Sequence, residues 1–219
     1  MQAEILENLK RAVLEYDSKG AASWARKAAE EKIDPIKALD TLTEAIRAVG
    51  DGFARGELWL PDLVGAADAM QSATPILEEE IKKIGAKRES VATVVAGTVF
   101  GDIHNIGKSM VCTLLTADGF EVIDLGVDVE TERFVEAIKK YKPGILAMSA
   151  LLTMFTSEQK KVIEALKKEG IRDKVKIMVG GGAVNEESAR RVGADGYAPT
   201  APEAVKLARR LVGKQRKEK

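Results

Sequence analysis

The apolar positions of this chain change rhythm near residue 88. Before that point they recur at the three-to-four spacing of amphipathic helices. In "EILENLKRAVLEY", Ile5, Leu6, Leu9, Val13 and Leu14 fall on one stripe, and "SWARKAAEEK" reads as a shorter, alanine-rich helix. Asp34 followed by Pro35 is an N-cap with proline at the first helical position, which predicts a helix over "PIKALDTLTEAIRAVGDGF". Gly50, Gly52 and Gly56 are expected to close it, and Pro61 to open a fourth helix over "PDLVGAADAMQSATPILEEEIKKIG". Four helices on short connections predict an N-terminal four-helix bundle over residues 1–88, followed by the polar linker "GAKRES".

After the linker, β-like and helical segments alternate. "SVATVVAGTV" is apolar on both faces, as a central parallel strand is. A helix from about Ile106 to Asp118 follows, then "FEVIDLG", a helix from Glu130 to Tyr141, and the strand "GILAMSA". The helix "SEQKKVIEALKKEG", the strand "VKIMVGGG", the helix "NEESARRVG", a short "ADGYA" and the helix "APEAVKLARRLV" complete the pattern. Five βα units predict an α/β domain over residues 89–219. Its expected form is a flavodoxin-like (Rossmann-like) parallel sheet of order 2-1-3-4-5, with helices on both faces.

Charge and composition narrow the partners. Lys+Arg and Asp+Glu balance at 34 each, so no global field draws the protein to nucleic acid or an anionic membrane. The basic "KQRKEK" end reads as a solvated terminus. The acidic, helix-periodic N-terminus is unlike a signal peptide, and the longest apolar runs fall well short of the roughly 20 residues of a membrane helix. A single cysteine excludes an internal disulfide, and the expected location is the cytoplasm.

The chemistry concentrates where strands end. "GDIHNIGKSM" (101–110) resembles a phosphate loop, but five residues rather than four separate its first glycine from Gly-Lys-Ser. Among those five is His104, the only histidine of the chain. Ligands of doubly wound sheets bind outside the carboxyl ends of the strands at the switch point. There "GDIHNIG" leaves strand 1, "SALLT" (149–153) leaves strand 3 and "GGG" (180–182) leaves strand 4. Each has a plain structural reading: a hydrogen-bonded loop histidine, Ser149 as a helix N-cap, glycines in tight turns. Their joint placement favours a bulky, flat ligand with a part threaded between the strands. With one histidine and one cysteine, no standard zinc cluster can form, and Cys112 reads as a small buried hydrophobe.

Asp102-x-His104-x-x-Gly107, then Ser149-x-Leu151, then Gly180-Gly181, resembles the cobalamin-binding signature. The second half is similar to the B12-binding domain of cobalamin-dependent methyltransferases and mutases, and the first half to the helical cap of methionine synthase. Together they resemble the corrinoid proteins of methylamine, methanol and methoxyarene methyltransferase systems, over nearly the whole chain. The resemblance implies cobalamin or a related corrinoid, as methylcobalamin or its Co(I) and Co(II) forms, bound base-off with His104 as lower axial cobalt ligand. Asp102 would take the proton-bearing nitrogen of His104, fixing its orientation. Ile103, Asn105, Ile106, Gly107, Leu151, Gly180 and Tyr197 would contact the cofactor. The displaced nucleotide tail would run into a slot between strands 1 and 3, past Ser149 and Thr153 to Gly181 and Gly182. Trp59, Leu63 and Met70 match the lid segment of the cap, over the methyl face.

The function so implied is a methyl carrier, not catalytic alone. It would accept a methyl group on Co(I) from a substrate-specific methyltransferase in trans and donate it to a second methyltransferase. A reductive activase would rescue Co(II). A B12-based sensor, a detached mutase subunit and a flavodoxin-like protein for another ligand are the alternatives.

Overall fold

The computed structural model describes residues 2–85 and 90–213. Residues 86–89 of the "GAKRES" linker and the "KQRKEK" end lie outside the described residues. The chain divides into two compact units, Met1–Glu89 and Ser90–Lys219.

In the first unit, helices α1 (Gln2–Leu14), α2 (Ser18–Glu30), α3 (Pro35–Ala54) and α4 (Leu60–Lys83) form the bundle. Their starts are set by capping carboxylates: Gly20 N–H donates to Asp17 Oδ1 and Ile36 N–H to Asp34 Oδ1, each at 2.9 Å. Trp59 N–H donates to Asp62 Oδ2 at the head of α4. The core is Ile5, Leu9, Leu42, Ile46, Leu63 and Leu77. Small buried residues on α2 (Ala21, Ala25, Ala28) and α4 (Ala66, Ala69, Ala73) let these two helices pack closely. Gly50 and Gly52 do not end α3, as their type suggested; they lie within it, and a side chain at Gly52 would meet Leu58 at 2.9 Å. Gly56, with φ +76°, lies just past the end of α3.

The second unit alternates β1 (Thr93–Thr98), α5 (Ile106–Ala117), β2 (Glu121–Asp124), α6 (Thr131–Tyr141), β3 (Ile145–Ser149), α7 (Thr156–Lys168), β4 (Lys176–Gly180), α8 (Glu186–Val192), β5 (Gly196–Tyr197) and α9 (Ala201–Leu211). A 3-10 turn over Thr153–Phe155 leads into α7. All strand pairs are parallel and the order is β2-β1-β3-β4-β5, as the βα alternation predicts.

Strand alternation sorts the core into two layers. Val95, Leu146, Met148, Ile177 and Val179 pack with α6, α7 and α8 around the buried Phe134. Val94, Ala96, Ile145, Ala147 and Met178 pack with α5 and α9. Arg209 of α9 donates to Asp118 at the end of α5, fastening those two helices together. Among the described residues, no helix is long and apolar enough to cross a membrane.

Candidate functional site

Strand register lines up the three carboxyl ends. Thr98 of β1 faces Ser149 of β3, which faces Gly180 of β4. By alternation these three share the α5/α9 side, and the row beneath them there begins with Ala96 and Ala147. The exit row carries only small side chains, while the row beneath it continues from Ala96 and Ala147 to the larger Met178. The slot expected between strands 1 and 3 is not an opening in the sheet. The two strands pair directly from Val94/Ile145 to Thr98/Ser149.

The β1–α5 loop is organised by a carboxylate. Asp102 is fully buried: Oδ2 accepts from Leu151 N–H at 2.6 Å, and Oδ1 accepts from His104 N–H at 2.9 Å. The same Oδ1 lies 2.7 Å from His104 Nδ1. Burial pushes the Asp102 carboxyl up, but the Leu151 and His104 amides and the His104 ring outweigh it, and the group is held below its ordinary value. An ionised carboxylate only accepts, so the proton sits on Nδ1 and Nε2 carries the available lone pair. The imidazole itself is about half exposed, at 52%. Buried Thr98 donates its hydroxyl to His104 C=O at 3.0 Å, fixing the backbone as well.

Around His104 lies apolar surface that ought to be buried. Ile103, Ile106 and Met154 are 72%, 69% and 70% exposed, and Phe100, Leu151 and Leu152 are exposed too. Phe100, Leu152, Met154 and Thr98 were missed by sequence reasoning. The signal for the first three was available, because they are large apolar residues in loops with no helix or strand period to explain them. Asn105 takes the N-cap position of α5 without a side-chain cap bond. Thr153 begins the 3-10 turn, and its carbonyl accepts from the Thr156 hydroxyl.

The glycines differ. Gly181 has φ +111°, and a Cβ there would lie 2.1 Å from Ala150 C=O, so the fold itself demands it. At Gly182 an added Cβ would press on Leu151 at 3.0 Å, and at Gly180 the nearest atom would be Ala198 C=O at 3.9 Å. At Gly107, in the first turn of α5, an added Cβ would meet nothing within 4 Å among the described residues. Tyr197 is partly buried and packs against the α6–α8 side of the sheet. In the helical unit, Leu63 and Met70 are buried in the bundle, whereas Trp59 is 75% exposed at the start of α4. Lys108, next to Gly107, is buried and pairs with Asp124 at the end of β2.

This fold and loop define a class with known members. Residues 92–206 match the B12 binding domain family, and residues 5–78 match a second family also described as a B12 binding domain. A corrinoid protein of Desulfitobacterium hafniense is 41% identical over 98% of this chain and 100% of its own length. A trimethylamine corrinoid protein of Methanosarcina acetivorans is 40% identical over 95% of this chain and 97% of its own. Among solved structures, the methanol:cobalamin methyltransferase complex of Methanosarcina barkeri matches with a TM-score of 0.85 and 31% identity. That match covers 97% of this chain and 81% of the other. The chain belongs to the B12-binding family of corrinoid proteins.

Proposed function

We propose that the protein is a methyl carrier that takes methyl groups from a substrate-specific methyltransferase and passes them to a second methyltransferase. The observation that carries the site is the buried Asp102 carboxylate on His104 Nδ1, which leaves Nε2 as the nitrogen able to ligate a metal. The surroundings fit a broad macrocycle. The exposed Phe100, Ile103, Ile106, Leu151, Leu152 and Met154 supply apolar contact, and the open space at Gly107 lets such a body approach the α5 backbone.

In this reading the corrinoid binds base-off with His104 as lower axial ligand. The displaced tail lies on the α5/α9 side, past Ser149 and Thr153 toward Gly180 and Gly182; Tyr197 packs on the opposite, α6–α8 side and does not face it. When bound, the corrinoid supplies the methyl-transfer chemistry through changes in cobalt oxidation state. The chain's part is to hold the proton at Nδ1 and to orient the ring. A second proton on the Asp102–His104 pair would weaken the imidazole as a donor and ease its release. Residues 1–88 carry the cap role in this reading; of its three candidate residues, Leu63 and Met70 fill the bundle and Trp59 is left exposed. Residues 89–219 hold the cofactor.

Relatives named as trimethylamine and dimethylamine corrinoid proteins support methylated amines as the first donors to test. The methanol:cobalamin methyltransferase complex supports a methyltransferase partner in trans. A reductive activase and a cytoplasmic location complete the proposal. The test is to load the protein with cobalamin, reduce it, and supply methylated amines with candidate methyltransferases. Methylation that needs both the partner and His104 is expected, and none with any partner would overturn the reading. Electron paramagnetic resonance of the Co(II) form with 15N-histidine should show coupling from the protein. Coupling from benzimidazole alone would remove the axial assignment.

A further inference from the structure

We propose that Asp128, on the loop between β2 and α6, is a positioning residue that sets where the His104 imidazole sits. The inference rests on the reading of His104 as the axial ligand. Asp128 has φ +51°, a left-handed conformation uncommon for residues with a side chain and more accessible to aspartate than to most. Its side chain is exposed, so core packing does not impose it. Hydrogen bonds do. Gly101 N–H donates to Asp128 Oδ1 at 2.7 Å, and Asp128 N–H donates to Asp102 C=O at 2.9 Å. One residue thus grips the two that lead into the buried carboxylate.

The loop around Asp128 repeats the grip. Val129 N–H donates to Thr98 C=O and Thr98 N–H to Gly126 C=O, each at 3.0 Å, and Val99 bridges Val129. Position therefore passes from Asp128 to the two peptide groups that flank Gly101–Asp102, and through the Asp102 carboxylate to both the amide and the ring of His104. Gly101, at φ +81°, is the flexible point in that chain, and the Asp128 carboxylate removes its freedom.

The chain has one histidine, so the ring-nitrogen spectrum of 15N-histidine-labelled apo-protein reports His104 alone. Asp128→Gly accepts the left-handed backbone while deleting the carboxylate, and Asp128→Asn keeps an oxygen acceptor. In the wild type one tautomer, protonated at Nδ1, is expected. In Asp128→Gly the two ring signals should move toward each other as the ring averages, and Asp128→Asn should restore them. Hydroxocobalamin affinity should fall about tenfold in Asp128→Gly, the low end of what partners behind a metal-binding histidine contribute. An Asp128→Gly protein with the wild-type ring spectrum and only a lower melting temperature would reduce Asp128 to a structural role and overturn the proposal. Should Asp128→Gly not fold, the Gly101 amide of the wild type decides: slow exchange supports the grip, and exchange at the unprotected rate overturns it. Histidine coupling in the Co(II) resonance tests the ligand separately. A ring shift in apo Asp128→Gly without that coupling would uphold the positioning and remove only the axial reading.

Discussion

Two glycines follow the carboxyl ends of β1 and β4, and they serve opposite purposes. At the exit of β4, Gly181 runs with φ +111° so close to Ala150 that any side chain would collide with its backbone. At the start of α5, Gly107 has open space where a side chain would go. Glycine in a helix interior gives up about 0.5–1 kcal/mol relative to alanine, and among the described residues no packing contact calls for one at Gly107. The first glycine is a requirement of the fold. The second makes sense only when something outside the chain comes close.

The contrast fails most visibly if Gly181 can be replaced. Gly181→Ala should destabilise the apo-protein by about 3–5 kcal/mol, the upper range for single substitutions, because both the left-handed backbone and the Ala150 contact are lost. Denaturant unfolding of the apo-protein measures it. A loss under about 1 kcal/mol would mean that the β3 and β4 exits move apart easily. Gly107→Ala should do the reverse, leaving apo stability unchanged or raised by up to about 1 kcal/mol while weakening corrinoid binding about tenfold. Wild-type affinity in that variant would leave the glycine unexplained.

His104→Ala belongs on the Gly107 side of the comparison. The ring is half exposed and Asp102 keeps two backbone donors, so apo stability should change by no more than about 1 kcal/mol. Corrinoid affinity should fall about 10- to 100-fold. Titration of hydroxocobalamin by absorbance, beside a melting curve of the apo-protein, separates the two. A large loss of apo stability would make the histidine a structural residue.

How much of this was legible follows from the same contrast. The helices and the strand order could be read because period and βα alternation are local properties of the chain. His104 was picked out because it interrupts what otherwise resembles a phosphate loop, and Asp102 and Gly107 because with it they resemble the cobalamin-binding signature. The demand on Gly181 could not, since it depends on the Ala150 backbone some thirty residues away. Gly50 and Gly52 misled because helix packing overrode their intrinsic preference. The left-handed turn at Asp128 leaves no mark in "GVDVE", where valines on both sides suggest a strand. The side proposed for a nucleotide tail rests on the register row that Thr98, Ser149 and Gly180 share, which no local pattern reveals.

That path sets the last and smallest prediction. Cys112 lies on α5, partly buried against the α5/α9 layer of the core. Burial first, and Asp124 second, push its thiol up to about 12, with Lys108 opposing. The thiolate is the reactive form, so alkylation of the native apo-protein should be slow near neutrality. Its rate should keep climbing about tenfold per pH unit well beyond the ordinary thiol value of about 8.5, where an unfolded control levels off. A native rate that levels off with the control would show the thiol to be unburied. If the tail lies on the α5/α9 side, bound corrinoid should slow alkylation further by covering that layer. Mass spectrometry of iodoacetamide-treated apo- and corrinoid-loaded protein at fixed pH reads the difference directly. Equal rates in the two would move the tail off this side of the sheet, and the small residues at Thr98, Ser149 and Gly180 would then need another reason.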